Sequence, residues 1–113
     1  MEDREYLIIL YDYYEELLND NQKEYFEQYY FDNLSLSEIS ENDNKSRNAI
    51  HKCIKSVCLK LYEYEDKLRL YEKRRKLDKI IDKIDDLELR KSLEELIWEI
   101  GYQFILKIMN YLR

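Results

Sequence analysis

The sequence has no proline and a single glycine, Gly101, in 113 residues. Tight turns between strands lean on those two residues for special backbone angles, so their near absence argues against a β-rich fold. No run of about 18 uncharged apolar residues occurs, and no membrane insertion is expected. The first residues, Met1 to Glu5, are acidic and lack the basic start and apolar centre of a signal peptide. Cysteine is scarce: Cys53 and Cys58 lie five apart on an expected helix, on different parts of its circumference, too far apart for a relaxed disulfide. With His51 the only histidine, there are too few ligands at the right spacing for zinc. Free thiols acting as small packing residues in a reducing, cytoplasmic setting are the simple expectation. No nucleophile–base set and no glycine-rich phosphate loop is visible, and Asp85–Asp86 reads as part of a helical charge run. Neither enzymatic activity nor any cofactor or metal is expected.

What is present points to helices. Charged residues make up 39% of the chain and hydrophobic ones 45%, enough for one domain with a modest core and solvated helix faces. The charge is uneven. Residues 1–44 carry two basic and 13 acidic side chains, residues 45–76 carry 11 basic and four acidic, and the whole chain sums to −6. A basic middle can meet a polyanion that the acidic part repels; alternatively the two halves attract each other within the fold or in an oligomer.

Apolar residues recur at helical spacing throughout. Tyr6, Ile9, Leu10, Tyr13, Tyr14 and Leu17 predict a first helix from Asp3 to Leu18. Asn19 with Gln22 reads as a capping box for a second helix reaching Phe31. Ser35 with Glu38 is another, opening a short helix with Leu36 and Ile39 inward. Asn44 stands where a left-handed residue is wanted, and Ser46 caps the next helix. Ile50, Ile54, Val57, Leu61, Tyr64, Leu68 and Tyr71 step by four and three, the spacing of a coiled-coil seam, with protection of Ile54, Val57, Leu61 and Leu68 by a partner chain expected. So long a helix without caps predicts a break, placed between Leu70 and Lys76. A last helix runs from about Leu87 to Tyr111, with Leu89, Leu93, Leu96, Ile97, Ile100, Phe104, Ile105 and Ile108 on its apolar face. Gly101 there suits close helix approach. Trp98 with Phe104 is expected in the core or a dimer interface.

Residues 17–69 carry the functional signal. A helix, a tight turn, a short capped helix, a second tight turn and a longer basic helix form the helix-turn-helix layout. On the longer helix Ala49, Ile50 and Ile54 are expected inward and Arg47, Asn48, His51, Lys52 and Lys55 outward. Arg and Asn can pair with base edges, and Lys neutralises phosphates. Arg74 and Arg75, within the run Lys73 to Lys76, are a second candidate contact for RNA or protein, or else a solvated helix end.

This stretch resembles the YlxM family of low-GC bacteria. The resemblance rests on Leu17-Leu18-Asn19, Gln22, Tyr29-Tyr30, Ser35-Leu36-Ser37-Glu38-Ile39-Ser40, Ser46-Arg47-Asn48-Ala49-Ile50, Ile54-Lys55-Ser56 and Tyr64-Glu65-Asp66-Lys67-Leu68. It also resembles region 4 of sigma factors, which lacks the Tyr-Glu-x-Lys-Leu end. The family resemblance implies an all-α, sigma-region-4-like helical bundle and a homodimer. It also implies an accessory or regulatory role beside the signal recognition particle (SRP), touching the SRP GTPase subunit or the SRP RNA. The chain departs from the family at three places. Lys45 stands where valine is preferred and Asp43 where an aromatic is common, so a looser turn is expected. Asn48 replaces glutamine, shortening its reach by one methylene and favouring phosphate contact over base readout. The expected organisation is a helix-turn-helix domain over 1–70 with a C-terminal helical extension, for dimerisation, over 71–113. A DNA-binding regulator using the helix from Ser46, and a self-assembling scaffold, are the alternatives.

Overall fold

The computed structural model describes residues 3–112, the side chains of residues 104, 105, 108, 109, 111 and 112 excepted. Expectations for Phe104, Ile105 and Ile108 therefore lie outside the described residues. Six α-helices occur: α1 (Arg4–Tyr14), α2 (Asp20–Tyr30), α3 (Leu36–Asp43), α4 (Arg47–Leu68), α5 (Leu70–Ile81) and α6 (Leu87–Leu112), with a 3-10 turn at Glu15–Leu17 after α1. No strand occurs among the described residues. The fold is all-α and contains a helix-turn-helix. Two compact units divide the chain, Met1–Lys67 and Leu68–Arg113.

The first unit is punctuated by its polar residues. Asp3 accepts from the Tyr6 amide at 3.2 Å and starts α1. The α-helix ends at Tyr14, a turn earlier than the apolar spacing predicts. Glu15 and Glu16 crowd its C-terminus, where the helix dipole disfavours negative charge. Both capping boxes form: Asn19 with Gln22 at 2.9 Å in each direction, Ser35 with Glu38 at 3.1 Å in each direction.

The turn before α4 is set by Asn44, left-handed at φ 53°. Asparagine tolerates that region because its short amide offers local hydrogen bonds. Replacing Asn44 with alanine is expected to cost about 1 kcal/mol, while glycine at the same position keeps the stability. Urea midpoints of the two variants check this.

The turn is not loose. Asp43 accepts from the Tyr25 hydroxyl, the Lys45 ammonium sits 5.3 Å from the centre of the Tyr25 ring, and the Ser40 hydroxyl donates to the Lys45 carbonyl. Asp43 and Lys45, the two departures from the family pattern, thus act together on one tyrosine. A polar clamp replaces the apolar one, correcting the expectation of a looser turn.

The core of this unit is aromatic. Leu7, Leu10, Tyr11, Tyr14, Phe26, Tyr30, Ile39, Ile50, Val57 and Leu61 are buried. Tyr11 stacks on Phe26 at 4.5 Å, and Phe26 meets Tyr30 at 4.6 Å. Burial, with the Glu27 carboxylate that accepts the Tyr11 hydroxyl at 2.6 Å, pushes that phenol well above its usual range. Arg4 reaches from α1 to the Tyr30 carbonyl and to Asn33 at 2.6 Å, fastening α1 across the end of α2. Further along, Tyr14 donates to Glu65, a carboxylate on α4 that is itself buried. Glu65 is the acid of the Tyr-Glu-x-Lys-Leu end, so that motif serves packing of α1 on α4.

The seam on α4 is filled from within. Ile54, Val57 and Leu61 are already buried in the single chain, and Leu68 is half-buried. A coiled-coil seam and an intramolecular core stripe share the same apolar spacing, which is why the pattern by itself reads as an interface. Ala49, expected inward, is exposed, because it lies in the first turn beyond the cover of the other helices.

The break after α4 falls at Arg69, left-handed at φ 53°, just before the range expected for it. No glycine or asparagine marks it, so turn chemistry gave no sign there. In the second unit Asp86 caps α6, accepting from the amides of Glu88 at 3.0 Å and Leu89 at 3.1 Å. Trp98 is exposed, not in the core. Among the described residues nothing lies within 4 Å of where a Cβ on Gly101 would stand, so the expected close approach is not made by any of them.

Candidate nucleic-acid interface

The first turn of α4 is held open to solvent by its cap. The Ser46 hydroxyl accepts from the Ala49 amide at 3.1 Å, and its carbonyl accepts from Ile50 at 3.1 Å. Burial of Ile50, Ile54, Val57 and Leu61 then fixes the rotation of the helix about its axis. The opposite side must face water, and there the structure brings together Arg47, Asn48, His51, Lys52 and Lys55, all exposed. None of the five has a hydrogen-bond or ion-pair partner among the described residues.

Residues 45–62 hold five basic side chains and no acid. The face turns acidic only at Glu63 and Asp66, both exposed. The basic stretch from Arg47 to Lys60 therefore spans about 20 Å of helix. Its N-terminal end adds the unsatisfied amides and positive partial charge of the helix dipole. The arrangement can neutralise several phosphates along one edge of a polyanion.

The acidic half of the chain does not quench this face. Among the described residues, no carboxylate of residues 3–44 forms an ion pair with a base of residues 45–67. The sequence marked Lys45 only as a departure in the turn, not as a contact, because a turn position carries no periodicity. It is exposed beside the cap of α4, and its contact with Tyr25 raises the basicity of its ammonium. Leu59, one turn beyond Lys55 and 60% exposed, is the large apolar residue on this helix that stays open to solvent.

Arg74 and Arg75 lie on α5, in the second unit, and differ from each other. Arg74 is mostly covered and pairs with Asp78 at 2.8 Å. Arg75 is exposed and leans over the Tyr71 ring at 5.6 Å. Lys76 reaches Glu72 at 3.5 Å. Glu72, between Arg69 and Lys76, has its carboxyl pulled below the usual range by the Arg69 hydrogen bond and then by Lys76. Much of this second basic run is therefore answered by carboxylates one turn away on the same helix.

Neither cysteine forms a disulfide; Cys58 is buried and within 3.5 Å of the Tyr30 hydroxyl, and Cys53 is half-buried. Burial pushes the Cys53 thiol up, outweighing the nearby lysines. Alkylation of Cys53 is expected to run slower than that of free cysteine at neutral pH. It should accelerate only above the ordinary thiol pKa of about 8.5. Mass-resolved iodoacetamide labelling across pH measures it. Among the described residues no cluster of histidine, cysteine or carboxylate side chains could hold a metal ion.

Residues 1–100 match the family model described as "UPF0122: Putative helix-turn-helix protein, YlxM / p13 like". The chain belongs to this family. A UPF0122 protein of Ureaplasma urealyticum serovar 10 is 45% identical over 93 residues, covering 82% of this chain and 94% of that protein. One from Clostridium novyi is 46% identical over 107 residues, covering 85% and 93%. One from Fusobacterium nucleatum is 40% identical over 84 residues, covering 74% and 82%. The UPF0122 match takes in the whole first unit, including the face of α4, and most of the second. The name of the family describes a helix-turn-helix protein, and among the described residues no helix is long and apolar enough to cross a membrane.

Proposed function

We propose that this chain is an accessory binding protein of the signal-recognition-particle pathway, acting in the cytoplasm without catalysis, and that the exposed face of α4 contacts the particle's RNA. The observation that carries the reading is the cluster Arg47, Asn48, His51, Lys52 and Lys55, exposed and unpaired on an acid-free stretch of helix. Membership of the YlxM-like family supports the pathway. The chemistry of the face supports RNA. An A-form duplex hides its base edges in a deep, narrow major groove that side chains cannot read, so a helix lying along its surface contacts phosphates and 2′-hydroxyls. Lys52, Lys55 and Arg47 suit that, and the shortened amide of Asn48 gives little up. The acidic first helices turn other surfaces away from the polyanion.

A second reading is a DNA-binding regulator. Arg47 and Asn48 stand in the first turn, where a recognition helix presents side chains to base edges, and each can read a base by paired hydrogen bonds. The two readings, and contact with the GTPase subunit, separate in one experiment. The purified chain is titrated at fixed near-physiological salt with SRP RNA, the SRP GTPase subunit and random duplex DNA. Tightest binding to the RNA supports the proposal. Preference for the GTPase keeps the pathway and moves the contact to protein. DNA binding alone overturns it in favour of the regulator.

A further inference from the structure

Lys45 is a cation held in place. Its carbonyl accepts from the Ser40 hydroxyl, and its ammonium sits 5.3 Å from the centre of the Tyr25 ring. That ring is 3% exposed and its hydroxyl donates to Asp43, so the platform beneath the ammonium is fixed. Asp43 spends its carboxylate on the tyrosine and, among the described residues, forms no ion pair with Lys45. The charge of Lys45 therefore stays open to solvent at the start of α4. A free lysine side chain gives up rotamer freedom when it binds, and one already fixed gives up less.

Lys45 also lies on a different side of α4 from His51 and Lys55. Cys53 marks that side: burial raises its thiol while the charges of Lys45 and Lys60 act against the rise, so both ammonium groups lie near it. Lys60, seven residues beyond Cys53, returns to within about 20° of it around the helix. His51 and Lys55, two residues before and two after Cys53, stand about 160° away, and Lys52 lies between the two sides. Lys60 is half-buried and has no ion-pair partner among the described residues. Cations therefore stand on two flanks of α4. One flank serves a single backbone. Two flanks, on a helix about 10–12 Å across, fit a ligand with phosphates on both sides of it, as two strands provide.

We propose that Lys45, fixed over Tyr25, is a phosphate contact of the α4 face, and that with Lys60 it meets one strand of a two-stranded nucleic acid while Lys55 meets the other. This rests on the reading of α4 as the nucleic-acid interface and adds that the ligand is two-stranded where it docks. The turn between α3 and α4 becomes part of the interface. Tyr25 and Asp43 are positioning residues that hold the ammonium and touch no ligand. A single strand offers one row of phosphates and leaves one flank unused.

The test titrates the whole chain with SRP RNA and with random duplex DNA over a range of salt. Lys45→Met keeps an apolar stem over Tyr25 and removes the charge. It is expected to weaken binding of the tighter ligand about fivefold near physiological salt and to lower the salt slope by about 0.7–0.9, the share of one phosphate. Lys60→Gln should do the same, and the two together should weaken binding about twentyfold. Lys45→Arg keeps the charge, stacks on the ring and should restore affinity and slope. The slope separates contact from support, because a variant that only loosens the turn lowers the urea midpoint and leaves the slope alone. Random single-stranded RNA should feel Lys45→Met less than about twofold; an equal loss there overturns the second strand. The triple variant Arg47→Gln, Lys52→Gln, Lys55→Gln runs alongside. If it loses binding while Lys45→Met keeps the wild-type slope, Lys45 is a turn clamp only, and the proposal falls while the reading of α4 stands. If the triple variant also binds like wild type, or neither ligand binds, the reading of α4 falls and takes this proposal with it.

Discussion

Replacing Arg47, Lys52 and Lys55 together, as Arg47→Gln, Lys52→Gln and Lys55→Gln, is expected to lower affinity for SRP RNA, the proposed ligand, about a hundredfold near physiological salt. The magnitude follows from counterion release: each neutralised phosphate contributes a slope of about 0.7–0.9 in log K against log salt, so three contacts near 0.15 M are worth about two powers of ten. The slope itself should fall by about two to three in the same experiment. The effect is specific to this face because the three side chains have no structural work to lose; they are exposed and unpaired. Exposed substitutions of this kind change stability by roughly 0.5 kcal/mol or less each. The control is the acidic end of the same helix, Glu63→Gln with Asp66→Asn, for which binding should stay level or tighten slightly. Equal affinity and equal salt slope for the triple variant and the wild type would place the ligand on another surface.

The second large effect is on folding. Phe26→Ala is expected to remove about 3–5 kcal/mol of stability, the usual cost of truncating a fully buried phenylalanine. Phe26 is 0% exposed and lies between Tyr11 and Tyr30. Its loss therefore removes the ring that both neighbours pack against, and the cavity cannot close by rotation of a single side chain. Native stability is about 0.05–0.15 kcal/mol per residue, so a unit of this size has little beyond that amount to give. The variant should be largely unfolded at 37 °C by circular dichroism, and RNA binding should fall with it. Phe26→Leu keeps most of the volume and should leave the unit folded. If Phe26→Ala unfolds at the wild-type urea midpoint, the aromatic stack is not what holds α1 to α2.

Family membership shows a helix-turn-helix protein, and the pattern of exposed charge tells its two basic clusters apart. Two basic clusters look alike in the sequence, Arg47 to Lys55 and Lys73 to Lys76. They differ in the structure because Glu72 and Asp78 stand one turn from the second cluster on the same helix, whereas the helix of the first carries no acid before Glu63.

The caps and turns were legible from local chemistry alone. Asn19, Ser35 and Ser46 each accept from a backbone amide three residues on, and Asn44 takes a left-handed angle that its residue type tolerates, so no distant part of the chain was needed to place them. The outward face of α4 was legible for the same reason: buried Ile50 and Ile54 leave Arg47, His51 and Lys55 only one direction to point. Three things needed the tertiary structure. The apolar stripe of α4 has the spacing of an interface and of a core, and only the packing of α1 and α2 over it decides for the core. Asp43 and Lys45 read as two separate faults of the turn until Tyr25, some twenty residues away, brings them into one clamp. Arg69 ends α4 with no turn residue to announce it. Local hydrogen bonds are written in neighbouring residues, whereas which apolar face is covered, and by what, is a property of the whole chain and is settled only when the helices meet.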